Sequence, residues 1–169
     1  MTDKNSFTPD EWATLGQAPA LTALAVTVAG SSGLFGTLAE AMGMTGALIE
    51  GAKSDNPLIR ALCQKEELAA AQKGLREKIQ ALKPGDLAAA QAEMRTTALD
   101  SVRKAMQILA AKGTPADVAA YRTFITDIGK RVANAAKEGG FLGFGGERVS
   151  EGERGMLASI EAALGAARV

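Results

Sequence analysis

Phe7-Thr8-Pro9-Asp10-Glu11-Trp12 is the stretch from which the rest of the chain can be read. Thr8 stands at an N-cap, Pro9 takes the first helical position, where a missing N–H costs nothing, and Glu11 closes a capping box by reaching back to the cap. Phe7 and Trp12 occupy the two positions of a hydrophobic staple, which sets the angle at which the chain enters the helix. The same kind of start recurs at Asn56-Pro57, Asp86, Thr114-Pro115-Ala116-Asp117 and Ser150-Glu151-Gly152-Glu153. Stops fall at Pro84-Gly85, Gly113 and Gly139.

Working outward from these marks, a short helix is predicted from Pro9, a second from about Pro19 to Ala29, and a third from about Leu34 to Ala52. A long helix should then run from Pro57 through Leu58, Leu62, Leu68, Leu75, Ile79 and Leu82, with a bundle-like seam at Leu68, Leu75 and Leu82. The next carries Leu87, Met94, Ala98, Val102, Ala105, Met106 and Leu109 on one face. Val118, Tyr121, Ile125, Ile128 and Val132 mark the one after it, and Met156, Leu157, Ile160 and Leu164 the last. The expected fold is all-α: a single-domain bundle of six or seven helices, antiparallel where connections are short, with residues 1–7 as a tail and 139–149 as a glycine-rich apolar loop. Alanine, about a fifth of the chain, and the lack of any sustained alternation of period two argue against strands.

With 169 residues the chain is long enough to bury a core without disulfide or metal, and its one cysteine has no partner for an internal disulfide. The absence of histidine removes Ser-His-Asp triads, Cys-His pairs and histidine zinc sites, so no enzyme is expected and no cofactor is implied. Nineteen basic and nineteen acidic side chains cancel, leaving no field to collect nucleic acid. Between Trp12 and Ile49 the only charge is Glu40, but Gly16, Pro19, Gly30, Gly33, Gly36 and Gly43 interrupt the span. It reads as buried core helices rather than a membrane crossing. Asp3 and Lys4, with no apolar run behind them, do not make a secretory signal, and a cytoplasmic protein is expected.

Chemistry concentrates around Gly139-Gly140-Phe141-Leu142-Gly143-Phe144-Gly145-Gly146-Glu147-Arg148-Val149. No Gly-Lys-Ser/Thr ending follows, so it is not a phosphate loop, although Arg148 and the Ser150 helix start are the groups an anion would meet. Phe141, Leu142 and Phe144 either tuck into the core or, with Phe35, form a contact surface for a partner. Glu40 is a solvent-facing or arginine-paired carboxylate unless burial turns it into a site acid. Cys63, without an activating base, reads as an inert thiol. Glu138, Glu147, Glu151 and Glu153 cluster in sequence but lack the spacing of a cation site, and no metal is expected. Gly33, Gly36, Gly43 and Gly46 in the third helix imply close backbone approach or a break near Gly43-Met44.

Residues 28–36 and 135–143 align as two similar helix-loop-helix corners, which suggests an internal duplication. On the segments from Ala29 to Glu40 and from Ala135 to Glu153 the chain resembles the TerB-like tellurite-resistance domains, which are helical and internally repeated. The resemblance implies a shared helical fold. The acidic metal motif of that family is replaced here by Ser32-Gly33 and Gly139-Gly140, leaving Glu40 and Glu153 as remnants. The expected function is a non-enzymatic interaction or stress-associated scaffold module, as a homo-oligomer or with a protein partner, its contact candidates being Phe35, Glu40, Phe141, Leu142, Phe144 and Arg148. The alternatives are a carrier opening beside the third helix to hold a hydrophobic small molecule or lipid, and a membrane-associated protein anchored by the N-terminal half.

Overall fold

The computed structural model describes residues 2–30, 36–81, 87–138 and 150–165. Over these residues the chain is an all-α bundle: a 3-10 turn at Lys4–Ser6, then α1 (Pro9–Ala29), α2 (Gly36–Gly51), α3 (Pro57–Leu62), α4 (Lys65–Ala81), α5 (Leu87–Lys112), α6 (Pro115–Glu138) and α7 (Glu151–Gly165).

α1 is the hub. It packs most extensively on α5 and then on α6, α4, α7 and α2. Trp12, Leu15, Ala18, Leu21, Ala25 and Val26 are buried, as are Gln17, Ala20, Thr22 and Ala23 at other positions around the helix. A helix covered on nearly every side has no use for charge, which explains the lack of charge from Trp12 to Ala29. By length and hydropathy α1 also meets the criteria for a membrane-crossing helix; in the bundle most of that window is buried by its neighbours.

The expected division at Pro19 does not occur, and α1 runs unbroken through it. A proline inside a helix removes the N–H that would bond the carbonyl four residues back, here that of Leu15. The hydroxyl of Tyr121, on α6, donates to that carbonyl at 2.7 Å. Tyr121 is fully buried, and burial pushes its phenol far above the ordinary range, so it stays a neutral donor.

A second correction concerns the long helix expected from Pro57 to Leu82. It breaks at Cys63-Gln64: the Cys63 N–H bonds to the Ile59 carbonyl, and the Gln64 carbonyl accepts the first bond of α4 from Leu68. The break divides two environments. Leu58, Ile59 and Leu62 of α3 are buried in the core, whereas Leu68 and Leu75 of α4 are only half-buried against α1, and Leu82 lies outside the described residues. α2 runs across Gly43-Met44 without a break.

The caps at Thr8, Asn56, Thr114 and Ser150 form as read from sequence, and Asp86 lies outside the described residues. Thr8 accepts from the Glu11 N–H at 3.3 Å and Glu11 returns the bond at 2.7 Å; the Glu11 carboxylate also holds Lys112 at the end of α5, which draws its pKa down. Phe7 and Trp12 meet with ring centroids 5.8 Å apart, completing the staple. Ser150 and Glu153 make the reciprocal pair that starts α7. There Gly152 lies against the Ala29 carbonyl, with no space for a side chain, so the carbonyl end of α1 meets the N–H end of α7 in a favourable dipole pairing.

Asp117 does more than cap α6. One oxygen accepts from the Thr114 N–H at 2.9 Å and the Thr114 hydroxyl at 2.7 Å, and the other from the Asn56 amide at 2.9 Å. Asn56 in turn caps α3 through the Ile59 N–H, and Thr2 adds a side-chain bond to Asp117. One buried carboxylate thus joins the N-terminal residues to the starts of α3 and α6. Desolvation acts to raise its pKa, but the donors from Thr2, Thr114 and Asn56 outweigh it and hold the group at about 2.

Two outcomes are expected. Tyr121→Phe should cost about 1–3 kcal/mol in urea unfolding by leaving the Leu15 carbonyl unpaired, and the cost should shrink in a Pro19→Ala background, where a backbone N–H is restored. Equal costs in both backgrounds would show that the proline and the tyrosine are not coupled. Because the folded pKa of Asp117 is depressed from the ordinary 3.8 to about 2, its contribution is complete above pH ~4 and lost as pH falls toward 2. The loss of stability over that window should therefore be smaller in Asp117→Asn than in the unaltered protein.

Candidate functional site

A groove of about 310 Å³ lies between α2, α3 and α6. Its floor is made by Ala47 and Gly51 of α2, Ile59 of α3, and Ala120 and Phe124 of α6; Glu50, Ser54, Thr123, Asp127 and Arg131 form its rim. Small residues on α2 create the depth. A Cβ on Gly51 would stand 2.5 Å from the Cys63 sulfur and 2.9 Å from the Phe124 ring, so only glycine lets these helices approach so closely. At Gly46 the Arg131 guanidinium lies against α2, at a distance that a Cβ would also tolerate. The close approach falls at Gly51, which was not among the glycines expected to provide it; Gly33 and the side-chain surroundings of Gly36 and Gly43 lie outside the description.

Arg131 Nη2 donates to Glu50 Oε2 at 2.5 Å across the groove mouth. Both groups are substantially exposed, so the pair is worth at most about 1 kcal/mol and is easily exchanged for a bond to an incoming group. Asp127, one turn before Arg131, is exposed. The rim therefore carries two carboxylates and one guanidinium around an aromatic floor.

On the outer side of α2, two residues beyond Ala47 and so about 200° round the helix, Ile49 is 53% exposed. It is the one large hydrophobic side chain left exposed among the described residues. Lys53, just past the end of α2, is also exposed.

Of the contact candidates chosen from sequence, Phe35, Phe141, Leu142, Phe144 and Arg148 lie outside the described residues, as does Glu147. Glu40 falls in α2, with its side chain outside the description. Much of both corners behind the suggested duplication lies there too. Glu153 is occupied in the α7 cap, and Glu151 is exposed in the first turn of that helix. Among the described residues no three acidic or cysteine side chains come together as a cation site. Sequence reading missed Ile59, Ala120, Phe124, Asp127 and Arg131. The groove they line needs α3 and α6 side by side, and no local pattern announces that.

Cys63 sits beneath this groove, buried, its thiol pushed up to about 11 by desolvation. Comparison of the chain with protein-family models, with curated proteins and with solved structures finds no match. A raised pKa and a covered sulfur leave Cys63 a poor nucleophile. Alkylation by N-ethylmaleimide at pH 7.5 is expected to be slow in the native protein and to reach the rate of a free thiol only in denaturant; rapid native labelling would mean that α2 lifts from α3 and α6.

Proposed function

We propose that this protein is a non-catalytic interaction module that associates with further copies of itself through the α2–α3–α6 groove. The observation that carries the reading is the groove's size and make-up: about 310 Å³, open to solvent, with an apolar floor holding one aromatic ring and a rim of both charges. That volume lies at the bottom of the range for drug-sized ligands and suits one anchoring side chain from another protein. The chain offers such an anchor in Ile49. Lys53 beside it complements Asp127 on the rim, as an exposed apolar group flanked by a cation would need. The carboxylates Glu11, Asp117 and Glu153 are engaged in capping bonds and the sole cysteine is a buried thiol, which supports binding over catalysis.

Because Ile49 and the groove lie on opposite sides of α2, one copy's anchor meets the next copy's groove head to tail. Such contacts build a ring or an open chain rather than a two-fold dimer.

Light-scattering mass over a wide concentration range, with native mass spectrometry of the same sample, tests this. The unaltered protein should grow in mass with concentration. Ile49→Ser, which removes the anchor, and Thr123→Phe, which plugs the groove from an exposed rim position, should each leave a folded monomer. Mixing the two variants should restore a finite one-to-one complex, since one keeps its groove and the other its anchor. A monomer at every concentration would reject self-association; a monomer carrying a reproducible small apolar adduct would make the groove a ligand site instead.

A further inference from the structure

α4 is attached to the bundle differently from the helices around it. Over residues 65–77, where its side chains are described, Ala71 is the only one buried; Leu68 and Leu75 are half-buried. It docks mainly on α1, with a smaller contact to α3. The described part of the α1–α4 seam is built from small residues. A Cβ on Gly16 would be 3.7 Å from Ala71 Cβ, and Gly74 leaves space filled by the side-chain amide of the buried Gln17. At roughly 25 cal/mol per Å² of apolar surface, the one alanine and two partly covered leucines among the described side chains of α4 contribute less than the leucine-, isoleucine- and aromatic-rich contacts among α1, α5 and α6.

What the seam lacks in apolar contact is concentrated in one carboxylate. Glu67, in the first turn of α4, accepts from Trp12 Nε1 at 2.6 Å through one oxygen and from Lys4 Nζ at 2.5 Å through the other. The Lys4 ammonium also stands 5.8 Å from the Trp12 ring. Desolvation acts to raise the Glu67 pKa, but the two donors outweigh it and keep the group charged. Glu67 therefore ties together the N-terminal turn, α1 and α4. On its other side α4 follows a turn whose preceding residues, Leu62 and Cys63, are buried in the core, with Gln64 joining them to the first turn of α4.

We infer that α4 opens from α1 as a unit about the Cys63-Gln64 turn, without unfolding the bundle, and that Glu67 is the latch that sets how often it does so. Opening frees the Trp12 indole N–H and uncovers the Gly16-Gln17 face of α1. A helix held by few buried contacts and one polar clamp belongs to the low end of the local-stability range, from which moving elements are drawn. This device is independent of the α2–α3–α6 groove, which α4 does not line.

Hydrogen exchange of the full-length chain, read by mass spectrometry, is the test. In the unaltered protein, amides of residues 67–77 should exchange at least tenfold faster than those in the middle of α5 and α6, and low concentrations of urea should hardly change that rate, as befits an opening that exposes little surface. Glu67→Ala should raise exchange in α4 about tenfold more while leaving α5 and α6 as they were. Glu67→Gln, which loses the ion pair but keeps a carbonyl oxygen for Trp12, should fall between. Emission from Trp12, the only tryptophan in the chain, should shift in the same order. Equal protection of α4, α5 and α6 in the unaltered protein would overturn the inference without recourse to any variant. So would a Glu67→Ala protein whose helices all exchange faster together, or one whose α4 is unchanged.

Discussion

The bond from the Tyr121 hydroxyl to the Leu15 carbonyl holds the bundle's centre in its observed form. Pro19 leaves a buried carbonyl in the middle of the most covered helix, and an orphan acceptor there would cost more than a typical hydrogen bond contributes. Tyr121 is the only tyrosine in the chain. Its hydroxyl fixes the register of α6 against α1, and from that register follow the position of α2 on α6 and the groove between them. A proline that would ordinarily divide a helix becomes instead a point of contact between two.

Around this centre the polar groups are used economically, and mostly at helix starts. Glu11 caps α1 and holds the end of α5; Asp117 caps α6 and gathers Asn56 and Thr2; Glu67 joins α4 to α1 and the N-terminal turn. Each carboxylate links elements far apart in sequence, so the same side chains that begin helices also orient them. Close approach does the rest, with Gly152 accepting the end of α1 and Gly51 admitting Cys63 and Phe124. The outcome is a bundle whose firm part is α1, α5, α6 and α7 and whose looser part is α4. Recognition, in the proposed function, falls on the edge formed by α2.

The described surface is mainly polar and charged, with Ile49 as its exposed large apolar exception. A binding role therefore rests on concavity more than on an apolar patch. The groove has the anatomy expected of an anchoring pocket, an apolar centre with a charged margin, and its Arg131–Glu50 pair is weak enough to rearrange around a partner.

Most of the helix boundaries were legible in the sequence, because capping is local chemistry: Thr8, Asn56, Thr114 and Ser150 each act on a backbone N–H three residues away. The apolar stripes of α5, α6 and α7 were legible for the same reason, since their periodicity lies within a single helix. Two features escaped. Pro19 reads locally as a breaker, and only a tyrosine 102 positions later makes it tolerable. Leu58 to Leu82 reads as one continuous stripe, and only the difference between a core neighbour and a peripheral one breaks it at Cys63. The two effects offset each other, so the described residues still form seven α-helices, divided at Cys63 rather than at Pro19. The groove was beyond local reading altogether, because Ile59, Phe124 and Arg131 belong to helices that only tertiary packing brings together. The sequence by itself determined an all-α chain and most places where its helices begin, since caps and periodicity act over a few residues. The tertiary structure alone decided which helix became the hub, which carbonyl needed a distant donor and where a concave surface was left, since those depend on contacts between residues far apart in the chain.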